Sequence, residues 1–236
     1  MKTEEKMAQP SLLIPARMKT PRAAALAGII FSVLFATTIV LLRISAPAAS
    51  QETLVWPTAS AGVLVLALDL VPFAGIAFLW FIGVIRDRLG ANEDRFFATV
   101  FFGSAILFLA MFFAAAAVAG ATVIALDKAS NQMIASGGYV FGRAIIDQIM
   151  NVYALKMAGV FMVSCATLTT RTRVLPRVIT LPGYVLAVLL LVSSHFLHRL
   201  ALAFPLWVFV MSAYILIENL RFPNHGGSSN PTGDNY

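Results

Sequence analysis

The sequence has few of the side chains that usually carry chemistry. A single cysteine, Cys165, excludes any disulfide within the chain, and with three histidines it forms no cluster of zinc-ligand spacing. Only 12% of residues are charged, against about a quarter in a soluble domain. No GxSxG, Walker, dinucleotide or HExxH pattern occurs. SGGYVFGR (136–143) has three glycines but neither the P-loop lysine nor a preceding strand. No Asn-X-Ser/Thr acceptor occurs either, because Asn230-Pro231-Thr232 carries the forbidden proline. These absences point away from an enzyme, and no cofactor is implied. The short alternating pattern of a membrane β-barrel is missing as well.

What remains is apolar. Hydrophobic residues make up 59% of the chain, with a mean hydropathy of +0.85, and they gather into long blocks. A hydrocarbon layer of about 30 Å takes roughly 20 helical residues. Six blocks approach that length: 23–42, 60–85, 96–126, 148–169, 178–197 and 203–220. The expected fold is therefore all-α, a polytopic transmembrane bundle of six helices. It divides into an N-terminal segment (1–22), a six-helix domain (23–221) and a polar, disordered tail (222–236). Ala46-Pro47-Ala48 resembles a signal-peptidase site, but the apolar run before it exceeds the usual ~7–15 residues, so a retained helix is expected. Met18-Lys19-Thr20 echoes Met1-Lys2-Thr3, so either methionine is a candidate start.

A net charge of +6 and a pI near 9.8 invite a nucleic-acid reading, but the basic residues flank the apolar blocks. Under six crossings, twelve Lys and Arg fall on the side of the termini and four on the other. That bias places both termini in the cytoplasm. The expected location is a cell membrane crossed several times, with the lipid bilayer and other membrane subunits as partners and no nucleic acid.

Close helix approach in lipid relies on small residues. Ala24, Gly28, Ser32 and Ala36 make such a stripe on the first helix, Gly75 and Gly83 on the second, AAAAVAGA (114–121) on the third, and Ala154 and Ala158 on the fourth.

Polar residues inside the blocks are the functional candidates. Asp69 and Lys156 fall at similar depth, so they are expected either to share a polar site with Asn151 and Tyr153 or to reach separately for the interface. Pro72, three residues after Asp69, predicts a kink. Arg143 and Asp147 are spaced for an ion pair, and with Asn151 they form a polar stripe that is either a vestibule mouth or an interfacial helix start. His195 and His198 are weak metal candidates without a third ligand. Trp56, Trp80 and Trp207 read as interfacial or packing aromatics. The loop RDRLGANEDR (86–95) has charged ends that either clamp a hairpin or offer a docking surface.

The stretches PFAGIAFLWFIGVIRDRLGANEDRFFATVFFGSAILFLAM (72–111) and FPLWVFVMSAYILIENLR (204–221) resemble a group of small bacterial multipass membrane proteins of unknown function. The resemblance implies a multipass bundle and carries over no catalytic or binding residue. The functional expectation is a non-enzymatic accessory or structural membrane subunit. The alternative is a small-solute or ion transporter with its polar site around Asp69 and Lys156.

Overall fold

The computed structural model describes residues 21–45, 58–89, 95–171, 175–192 and 200–221. The described residues are helical apart from short connections, with no strand among them. In order they are α1 (Pro21–Ser45), α2 (Thr58–Leu89), α3 (Arg95–Ala135), α4 (Gly138–Gln148), a π-helical segment (Ile149–Ala154), α5 (Leu155–Arg171), α6 (Arg177–Val192), a 3₁₀ turn (Leu200–Leu202) and α7 (Ala203–Arg221). Segments α4, π and α5 run on as one continuous rod, so six helical rods make the bundle. Four rods are long and apolar enough to cross a membrane: 22–44, 62–86, 96–129 and 138–171. The two others are shorter apolar helices, and α6, with 16 residues, extends about 24 Å.

The fourth rod begins ten residues earlier than the expected start at 148. Residues 127–143, expected as a loop, are largely helical, with an irregular Ala129 (φ −150°, ψ 52°) inside α3. The chain reverses at Ser136-Gly137, where Gly137 takes φ +71° and Phe141 N donates to its carbonyl at 3.0 Å. Only glycine enters that left-handed region at no steric cost. Pro72 lies inside α2 and Pro182 inside α6. His195, His198 and Arg199, Trp56, the tail, residues 1–20 of the N-terminal segment and the centre of the 86–95 loop lie outside the described residues, while residues 21 and 22 begin α1.

Phenylalanine fills the middle of the bundle. Phe31 and Phe35 from α1, Phe78 from α2, Phe101, Phe108 and Phe112 from α3, Phe161 from α5 and Phe204 from α7 are all buried. Their rings form one connected cluster: Phe31 to Phe78 at 4.5 Å, Phe108 to Phe204 at 4.9 Å, Phe35 to Phe112 at 4.9 Å and Phe101 to Phe161 at 5.0 Å between centroids. Most pairs are tilted or edge-on, as ring quadrupoles favour. Each ring ties its rod to the others by dispersion contact, which must supply cohesion where water is absent.

Small residues set the close approaches. A Cβ on Gly28 would run into Ser212 Oγ and the Phe81 ring, so this glycine seats α1 against both α2 and α7. A Cβ on Gly75 would meet the Phe113 ring, whereas Gly83 has open space around it and contributes nothing to packing. Ala24, Ser32, Ala154 and Ala158 are buried, while Ala36 is half-buried. Gly183 seats Trp207, whose Nε1 donates to the Ile179 carbonyl at 3.2 Å. Trp207 is thus a packing aromatic, and Trp80 an exposed one.

Several hydroxyls bond to carbonyls of their own helix, as apolar surroundings favour. Ser32, Thr38 and Thr122 donate to carbonyls one turn back at 2.7–2.9 Å. Thr167 also meets the Tyr184 hydroxyl at 2.8 Å, linking α5 to α6. At the opposite end of the bundle from the α4 start, the Arg86 guanidinium lies over Phe102 and that of Arg171 over Phe97, at 5.0 and 4.9 Å. Arg86 therefore joins α2 to α3 through a ring face.

Cys165 is fully buried, its thiol 3.9 Å from Met211 Sδ. Maleimide labelling of the folded protein in a bilayer is expected to be slower than in the denatured chain by at least about tenfold. Equal rates would mean that α5 and α7 do not pack as described.

Candidate functional site

Above the phenylalanine cluster the rods part to leave a cavity of about 290 Å³. It lies at the end of the bundle where α1 and α3 finish and α2, α4 and α7 begin. Alanine makes the room. Ala115, Ala116 and Ala119 on α3 face Leu64, Leu68 and Val71 on α2, and side chains this short do not fill the space between the two rods. Gly142 brings α4 onto α3, since a Cβ there would press on Thr122 Oγ1. The run 114–121, expected as bundle packing, is thus in part a cavity wall.

The lining is graded. Ile39, Val71 and Phe112 form an apolar floor continuous with the core. Toward the helix ends the wall carries Arg43 from α1 and Tyr139, Arg143 and Asp147 from α4. Asn151, one turn below Asp147, belongs to the π-helical segment. A π turn inserts an extra residue into a helix and recurs at functional sites. Here it lets the polar row Arg143, Asp147, Asn151 face the cavity while Ala154, Leu155 and Ala158 below it enter the core. Neither Asp147 nor Asn151 has a hydrogen-bond or ion-pair partner among the described residues, so the expected Arg143–Asp147 pair is not formed. All three residues of this row line the cavity.

The other expected site is not assembled. Asp69, Lys156 and Tyr153 are absent from the cavity lining, and no ion pair joins Asp69 to Lys156. Asp69 is exposed on the outward stripe of α2 with Val65, Leu66, Pro72, Phe73, Ile76 and Trp80, and Tyr153 is exposed as well. The reason is rotational. Depth along a helix says nothing about facing, and one residue, about 100° of turn, separates the cavity-lining Leu68 from the outward Asp69.

Arg43, Thr122 and Tyr139 were not among the candidates read from the sequence. Arg43 and Arg143 did carry a signal, as two of the few cations on the side disfavoured by the charge bias. Among the described residues, no group of three His, Cys, Asp or Glu side chains is placed to hold a metal ion. No family model, curated protein or solved structure matches the chain.

Proposed function

We propose that the protein is a non-catalytic accessory subunit of the bacterial inner membrane, with six crossings and both termini cytoplasmic, that associates with another membrane protein through α2. One observation carries this reading: a carboxylate sits on a helix face that is otherwise apolar and turned outward. Asp69 is seven residues, about 10 Å, into the span that starts at Gly62. An aspartate in hydrocarbon costs up to about 2.5–3.5 kcal/mol. Pro72 adds to the polarity of this face, because it has no N–H to offer the Leu68 carbonyl. A partner helix with a cation or hydroxyl donors at this depth satisfies both groups.

The transport reading draws less support. Asp69 and Lys156 do not share the cavity, and phenylalanine rings fill the bundle beneath it.

A photo-crosslinking residue in place of Phe73, introduced in cells, tests the proposal. One protein adduct of fixed mass is expected, and Asp69→Leu should reduce its yield by about tenfold. Adducts with lipid only, or a protein adduct indifferent to Asp69→Leu, would overturn it.

A further inference from the structure

The cavity has the form of a binding site for an amphiphile. Its volume of about 290 Å³ stands near the small end of ligand pockets, roughly 300–1,000 Å³. That is room for one short chain and too little for a two-chain lipid. The gradient along the wall fixes the orientation. The floor of Ile39, Val71 and Phe112 offers nothing to a polar group, while Arg43, Tyr139 and Arg143 stand at the helix ends. Among the described lining residues, two arginines stand with the single carboxylate of Asp147, so cationic groups outnumber anionic ones there. We infer that this cavity binds a single-chain amphiphile with a monoanionic head, the head held by Arg43 and Arg143 and the tail lying against the alanine wall of α3.

The chemistry of each part supports this assignment. Arginine meets carboxylate or phosphate oxygens through paired N–H donors, an arrangement that a neutral head cannot use. Asp147 repels a second negative charge, so a monoanion fits better than a dianion. Asn151, deeper in the row, has both amide donors and an acceptor available to the head or to water beside it. The tail gains contact with walls that the short alanine side chains leave unfilled. The site is independent of the Asp69 face, which lies outside the cavity.

Dodecanoate at pH 8.5, where its carboxyl is ionised, is the probe. The full-length protein is placed in phosphatidylcholine nanodiscs, and retention of labelled dodecanoate is corrected for protein-free discs. Saturable binding at one molecule per chain is expected. Arg43→Gln and Arg143→Gln should each weaken it by about tenfold, and Ala119→Phe, which fills the cavity, should abolish it. Dodecanol and dodecylammonium should bind at least about tenfold more weakly than dodecanoate, and acetate should not compete at equal concentration. Circular dichroism melting of each variant separates loss of site from loss of fold, and exposed Arg43 is the replacement least able to disturb the bundle. No saturable binding, or binding that persists in a folded Ala119→Phe protein, overturns the proposal. So does equal competition by acetate, which would mark a plain anion site.

Discussion

Replacing Phe204 by alanine is expected to cost about 3 kcal/mol of bundle stability, roughly a hundredfold in the folding equilibrium. Phe204 is fully buried, and its ring meets those of Phe31, Phe35, Phe78, Phe108 and Phe161, drawn from four other helices. Truncation to alanine therefore opens a void at the point where the rods converge. For soluble proteins such a change costs roughly 3–5 kcal/mol. The lower end applies here because the unfolded helix already sits in lipid, so the loss is packing rather than transfer from water. Phe209→Ala on the same helix is the control, since that ring is exposed and stacks on no other ring of the cluster among the described residues. It should change stability by less than about 0.5 kcal/mol. Reversible unfolding in mixed micelles or bicelles measures both. Equal effects at 204 and 209 would mean that the aromatic cluster does not hold the bundle.

The sequence made the helices legible and left their rotations hidden, and the reason is physical. Apolar block length identifies a spanning helix because the bilayer sets that length, and the starts of α1, α3 and α7 fall within about two residues of expectation. In a soluble protein an amphipathic stripe would reveal which face turns inward. Here the faces toward lipid and toward the core are both apolar. Phe31 and Phe35 face inward while Phe73 faces out, and nothing in composition separates them. The same blindness paired Asp69 with Lys156 on depth alone.

Polar residues broke that symmetry where they were frequent enough to define a row. Arg143, Asp147 and Asn151 repeat every fourth residue, and they do line one cavity. The rest of that site was harder to see. Its walls depend on what alanine omits, and its register depends on a π-helical segment with no local sequence signature. The early start of α4 was missed because 138–147 is mixed in polarity. A helix entering a vestibule has reason to be so.

Gly28→Val is the second large effect, and it tests the seat of α1 against two neighbours at a glycine with no room for a side chain. The added side chain would collide with Ser212 Oγ from α7 and the Phe81 ring from α2, so α1 would have to move away from both neighbours at once. Overpacking of this kind costs typically about 1–3 kcal/mol, and two simultaneous clashes place Gly28→Val at roughly 3. Ser212 supplies a second arm. Its hydroxyl is fully buried without a hydrogen-bond partner among the described residues, so Ser212→Ala should be neutral or stabilise by up to about 1 kcal/mol. Ser212→Gly removes the atom that the new valine would strike, while leaving Phe81 in place. The double variant Gly28→Val/Ser212→Gly should therefore recover part of the loss, with a coupling of about 1 kcal/mol in a double-mutant cycle. Strict additivity of the two changes, or a Gly28→Val protein as stable as the wild type, would show that α1 does not meet α7 at this glycine. The short distance between those helices would then need another cause.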